Sequence, residues 1–343
     1  MESLHNEEIS FLLSQYHIRD FHDVQFIDSS HGDTDIRHNY IVDKKYVLRM
    51  NSANVMTDDR LRELNSLIRR YRSFGMQAPL FISVKENVFV LEYHGQYCYV
   101  SEYLDLPLAD DVKEFCRSDL IVQRLTFVSR FAQRYKNAHL SETLSMYSLF
   151  ELSPYDALLG IEEKQDNFNH LIKDLQDIGE NSLADKLAEQ YAQIRLQLKS
   201  VYKALPRCFF QGDENFSNLC VDAQHRIVGL FDFNMSGTEV IANYLANLAF
   251  QGNFYYTDEI MSQHSAEEIL NMVISSYSKG TEVICRYYDF EPLEYQAYLL
   301  YSKIVIIFRW CDQNAFSEYL QGNQFRDKTI RLLELISAQM LQV

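Results

Sequence analysis

Four things are scarce in this chain of 343 residues, and each scarcity closes off a class of protein. The six cysteines, Cys98, Cys116, Cys208, Cys220, Cys285 and Cys311, form no CxxC pair and no regular framework, which argues against a disulfide scaffold or a thiolate metal site and for reduced thiols. No long apolar run is present: Ile304 to Phe308 is far short of a bilayer span. The opening stretch, MESLHNEEISFLLSQY, is acidic and amphipathic rather than basic and apolar. It leads us to expect a cytoplasmic protein with no signal peptide and no membrane association. Basic residues are outnumbered, with 32 Lys and Arg against 48 Asp and Glu and a net charge of −16. Nucleic acid is a poor partner for such a surface, whereas a cationic small substrate suits it as readily as plain solubility does. Finally, no GxGxxG occurs, so no glycine-rich phosphate loop announces itself.

What is present is a packed globular composition, 47% hydrophobic and 13% aromatic, in a chain long enough for two lobes. Residues 1–104 read as a β-rich lobe and residues 105–343 as a mainly helical one. In the first, Asn39 to Val42 and Tyr46 to Met50 are strands about a short turn, and Val88 to Tyr93 pairs with Gln96 to Tyr103 about His94 and Gly95. Between them Leu61, Leu64, Leu67, Ile68 and Tyr71 recur at helical spacing over Asp58 to Phe74, with a stop at Gly75. From Asp110 onward helical periodicity dominates, including Leu187, Tyr191, Ile194, Leu198 and Val201 in one long helix.

The chemistry concentrates between Phe209 and Phe233. Asp213 lies in a polar loop, Asn218 follows five residues later, and a hairpin turning at Asp222 to His225 returns the chain to Asp232. Folding that hairpin brings two carboxylates and a carboxamide to one end. Such hard oxygen donors suit Mg2+, which completes its shell with water and substrate phosphates. The order is that of a kinase-type site, with Asp213 as catalytic base and Asn218 and Asp232 as metal ligands. A solvated surface hairpin is the plain alternative, because Asp and Asn favour turns anyway.

At this loop the sequence resembles the aminoglycoside phosphotransferase and choline kinase family. The resemblance implies an α+β, bilobal protein-kinase-like fold, with a nucleotide-binding N-lobe (1–104) and a catalytic, substrate-binding C-lobe (105–343) carrying inserted helices. It implies an enzyme that uses Mg2+ and ATP or GTP to phosphorylate a hydroxyl of a small, amine-bearing molecule. By position it makes Arg49, in YVLRM, the phosphate-gripping cation and Glu63, in RLREL, its brace, and it assigns adenine recognition to the backbone of Glu102 and Leu104. It implies a phosphate-covering turn at Ser29 to Asp33, and acceptor-pocket walls from the extra helices of Ser145 to Leu205. Four positions depart from the family pattern. Arginine stands at 49 in place of lysine, Gln211 replaces histidine, Glu214 to Ser217 lack His-Pro, and Asn243 takes the place of a structural aspartate. They keep open a second reading, a pseudokinase that binds nucleotide or a partner without turnover. An aromatic series, Tyr298, Tyr301, Phe308 and Trp310 before Asp312, reads as core more readily than as an ammonium cage.

Overall fold

The computed structural model describes residues 4–30, 32, 35–53, 55–112, 117–138, 141–153, 156–158, 160–250, 256–307, 315–322 and 324–340. Helix α1 (Asn6–Gln15) precedes strands β1 (Val24–Asp28), β2 (Arg37–Val42) and β3 (Tyr46–Asn51), helix α2 (Asp58–Ser73), and strands β4 (Phe81–Ile82), β5 (Leu91–Tyr93) and β6 (Gln96–Glu102). Helices α3 (Arg117–Arg134), α4 (Glu163–Asp177) and α5 (Asn181–Val201) follow. Four short strands come next: β7 (Arg207–Phe210), β8 (Leu219–Val221), β9 (Ile227–Leu230) and β10 (Gly237–Val240). The remainder is helical: α6 (Ile241–Phe250), α7 (Asp258–Gln263), α8 (Ala266–Tyr287), α9 (Pro292–Ile307), α10 (Ala315–Gln321) and α11 (Arg326–Met340).

The chain packs as two compact units, Met1–Cys116 with Asp213–Asn234, and Arg117–Gly212 with Met235–Val343. The first is built on an antiparallel sheet in the order β1-β2-β3-β6-β4, with β5 also on β6. Burial alternates strictly along β2, so His38, Tyr40 and Val42 face inward. Ile9, Leu12 and Leu13 of α1 and Tyr16 just after it close over that face, together with Leu48, Met50, Cys98 and Val100. Each such side chain contributes about 1.5–3 kcal/mol on burial. Tyr16 keeps its hydroxyl satisfied there, its one proton shared between the carbonyls of Phe89 (2.8 Å) and Cys98 (2.9 Å).

Helix α2 buries Leu61, Leu64, Leu67, Ile68 and Tyr71, the stripe read from the sequence, and Thr57 caps it by accepting from the Arg60 amide at 3.2 Å. The expected strand from Val88 is shorter than its sequence pattern. Val88 is spent in a turn, where its amide donates to Lys85 O and its carbonyl accepts from Val84, so β5 begins only at Leu91.

The β8–β9 hairpin groups with the sheet, whereas a boundary at 104 assigns it to the helical part. Its backbone explains why. The Gln77 amide donates to Val228 O (2.8 Å), Leu230 N donates to Gln77 O (2.9 Å), and Val221 N donates to Pro107 O (2.9 Å). Backbone bonds of this kind tie residues 105–112 and the hairpin to the sheet unit.

In the second unit every residue of α6 is buried. A helix buried all round belongs at a centre, and α3, α8 and α9 pack against it. Helix α5 buries Leu183, Leu187, Tyr191, Ile194 and Leu198 on one stripe, as its spacing predicts. Tyr298 and Tyr301 are wholly buried in the core, in keeping with the packing reading; Phe308, Trp310 and Asp312 lie outside the described residues. Among the described residues no helix is long and apolar enough to cross a membrane. Cys98, Cys208 and Cys220 carry buried thiols, and Cys285 an exposed one.

Candidate active site

Strand β7 carries the chain to Gln211 and Gly212, both buried. Gly212 has φ +93°, and a Cβ there would lie 2.3 Å from the carbonyl oxygen of Met235. Only glycine fits both constraints, so the turn that launches Asp213 is fixed by backbone sterics. Beyond it, residues 213–218 close on themselves. Asn218 N donates to Asn215 O (3.0 Å), and Asn215 Nδ2 donates to Asp213 Oδ1 (2.8 Å). Asn218 Nδ2 donates both to Asp213 Oδ2 (2.8 Å) and to Asp213 O (3.0 Å). Both partners are acceptors, which forces the amide nitrogen toward Asp213 and turns Oδ1 the other way.

Asp232 follows β9, and the neighbouring Phe231 amide donates to Asn218 O at 3.1 Å, which joins the two ends of the hairpin. Asp232 is exposed and sits in the left-handed region at φ 57°, where aspartate is tolerated better than most residues. Its charge reaches Asp213: burial first, and Asp232 second, push the Asp213 carboxyl above its ordinary value, against the opposing donors Asn218 and Asn215. Asp213, Asn218 and Asp232 are therefore brought together. Phe233, next in sequence, is buried with its ring 5.8 Å from that of Tyr71 on α2, edge to face.

Arg49 stands mid-sheet, opposite Asn39 on β2 and Tyr99 on β6. The buried Tyr99 hydroxyl feels both Arg49 and Asp232, after the dominant effect of burial, so the cation and the exposed carboxylate share one neighbourhood. Arg49 Nη1 donates to Ser101 Oγ at 2.6 Å, and Glu63 lies 3.5 Å from Arg60, one turn away on its own helix. Ser101 and Tyr99, absent from the sequence reading, come to light only once the β3–β6 register is known.

Glu102 ends β6 with its carboxylate accepting from Arg72 and from the Leu80 amide (3.0 Å). Its own amide donates to Leu80 O (2.9 Å), and its carbonyl accepts from Ser101 Oγ (3.1 Å). A carbonyl has two lone pairs, which leaves one for a further donor. Leu104 is half-buried in the extended connector that follows. Of the phosphate-covering turn, His31 and Asp33 lie outside the described residues.

The donor set suits Mg2+. The Asn218 Oδ1 and the Asp232 carboxylate are hard oxygens, and a cation beside them offsets the repulsion between Asp232 and Asp213. Among the described residues no group of three or more His, Cys, Asp or Glu side chains forms a metal cage. Mg2+ needs none, because one or two protein oxygens plus water and phosphate complete its shell.

No protein-family model and no curated protein sequence matches the chain. Solved structures do resemble it. An aminoglycoside phosphotransferase from Alicyclobacillus acidocaldarius aligns over 100% of this chain and 98% of its own, with a TM-score of 0.52 at 14% identity. A spectinomycin phosphotransferase solved with ADP and spectinomycin aligns over 100% of both chains, with a TM-score of 0.47 at 11% identity. At such identities the likeness speaks to architecture: the chain has the kinase-like fold of the aminoglycoside phosphotransferases.

Proposed function

We propose that this protein is a small-molecule kinase that moves the γ-phosphoryl group of ATP or GTP to a hydroxyl of an amine-bearing acceptor, aminoglycoside-like or amino-alcohol-like. The observation that carries the reading is the Asp213–Asn218 pair, locked by two hydrogen bonds, with the Asp232 charge beside it. The name of the Alicyclobacillus neighbour, an aminoglycoside phosphotransferase, supports the acceptor class. The net charge of −16 is in keeping with a cationic acceptor and a cytoplasmic setting.

Asp213 orients the acceptor hydroxyl and takes its proton. A carboxylate lifted above its ordinary pKa is a better match to that task than a fully solvated one. Asn218 and Asp232 would hold Mg2+, which when bound supplies positive charge to the phosphate oxygens. Arg49, aimed by Ser101, adds a planar donor fork for the same oxygens. The backbone of Glu102 and Leu104 meets the base. In functional terms residues 1–104 handle nucleotide and residues 105–343 handle catalysis and acceptor.

The pseudokinase reading rests on the departures from the family pattern at Arg49, Gln211 and Asn243. Titrating Mg-ATP and Mg-GTP by thermal shift and then assaying products over amino sugars, aminoglycosides and amino alcohols separates the two. Stabilisation together with transfer supports the kinase, and stabilisation without any transfer supports the pseudokinase. Asp232→Ala should abolish turnover while the protein stays folded; an Asp232→Ala protein working at the parent rate ends the assignment.

A further inference from the structure

Among the charged side chains buried in the helical unit are Lys164 and Glu239, neither of them a member of the trio described above. Lys164, in the first turn of α4, is 5% exposed, and Glu239, on β10, is 2% exposed. They are joined by a line of amides. Lys164 Nζ donates to Asn247 Oδ1 (3.3 Å), Asn247 Nδ2 donates to Asn243 Oδ1 (3.0 Å), and Asn243 Nδ2 donates to Glu239 Oε1 (3.2 Å). Ser145 Oγ donates to the other carboxylate oxygen at 2.6 Å, and the Val240 amide donates to Oε1 at 2.8 Å. An ammonium only donates and a carboxylate only accepts, so the two ends dictate which way both amides point. Asn243 Nδ2 also donates to Tyr147 O at 2.7 Å, and Lys164 Nζ lies 5.3 Å from the Tyr147 ring centroid. Asn243 is the position where the sequence lacks the family's structural carboxylate. A carboxylate is nonetheless bonded to its amide, from Glu239 on β10.

What this line holds is the ladder that leads to Asp213. Glu239 pairs with Cys208, and Gly237 with Phe210, two residues before Gly212. On its other side β10 meets residues 143–145: Thr238 N donates to Thr143 O (2.8 Å) and Ser145 N to Thr238 O (3.0 Å). A Cβ on Gly237 would lie 2.3 Å from Ser145 N, so the fit leaves no slack.

We propose that Lys164, through Asn247 and Asn243, orients Glu239 and thereby fixes the β10–β7 ladder that delivers Asp213, making a helix of the inserted stretch a positioning element for the catalytic loop. Charge behaviour agrees. Burial pushes Lys164 down to about 8, with Glu239 first among the charges pulling it back, and burial pushes the Glu239 carboxyl up.

The inference rests on the proposed kinase reading only for what Asp213 does. Amide hydrogen exchange, read by mass spectrometry on the folded full-length protein, tests the coupling itself. In Lys164→Met, exchange in residues 207–212 and 237–243 should quicken by about tenfold or more. Where a transfer assay exists, kcat should fall with nucleotide KM changed by no more than about twofold. Lys164→Met combined with Glu239→Gln, which leaves both ends neutral, should recover most of the protection. Should Lys164→Met fail to fold, Glu239→Gln alone is read in the same way. Faster exchange confined to residues 163–177, with 207–212 as in the parent, overturns the proposal. So does a double variant no better protected than Lys164→Met. If the parent transfers phosphate to no acceptor, the kinase reading falls, and the exchange data still decide the coupling.

Discussion

Asp213 carries a burden that its donors Asn218 and Asn215 ease only in part: its carboxylate is half-buried and faces the charge of Asp232. Its folded pKa is raised, so it contributes most to stability below the ordinary value of 3.8, and the contribution is lost as pH rises through the raised value. Replacing it by alanine should therefore cost progressively less stability, relative to the parent, as pH climbs from 3.8; denaturant midpoints measured across pH give the slope. The acid limb of kcat/KM should likewise sit above the ordinary carboxylate range. Asn218→Ala strands the Asp213 carboxylate without its main donor and should destabilise by about 1–3 kcal/mol in urea unfolding. Asp232→Asn behaves oppositely. It removes the repulsion and keeps a residue type at ease at φ 57°, so stability should stay within about 0.5 kcal/mol while metal-nucleotide turnover is lost. The trio was legible in the sequence because residue type and order alone specify donor chemistry. Ser101 as the partner of Arg49 was not, because strand register is invisible until β3 and β6 are laid side by side.

Among the elements, those with a clear period were legible and those set by backbone approach were not. Helix α2 declared itself through Leu61, Leu64, Leu67, Ile68 and Tyr71, and α5 through its leucine stripe. Strands β7 and β10 are four residues each and almost wholly buried, so no alternation marks them. Glu239 within β10 carries no mark in the sequence; its link to Lys164 runs through Asn243 and Asn247. The glycine between β7 and Asp213 makes the element-scale prediction. Gly212→Ala sets a Cβ against Met235 O at 2.3 Å with φ at +93°, and should cost about 2 kcal/mol or more in chemical denaturation. Any folded fraction should lose transfer before it loses nucleotide binding.

For the whole molecule, the two-part α+β architecture was legible from composition and periodicity, whereas the attachment of the hairpin to the sheet unit was not: it depends on backbone bonds from Gln77 and Pro107. Net charge acts at this scale too. With −16 on the chain, kcat/KM for a polycationic acceptor should fall steeply as salt is raised from about 0.05 to 0.5 M, the range over which screening shortens to a few ångströms. An acceptor bearing one amine should show a shallower fall. The central claim, that Asp213, Asn218 and Asp232 form a phosphoryl-transfer site, is tested most directly by following radiolabelled γ-phosphate from Mg-ATP and Mg-GTP into a panel of amine-bearing alcohols, with parent and Asp213→Ala side by side. The account predicts a labelled product with the parent and a loss of about 100-fold or more with the variant. Equal labelling by both proteins would contradict it.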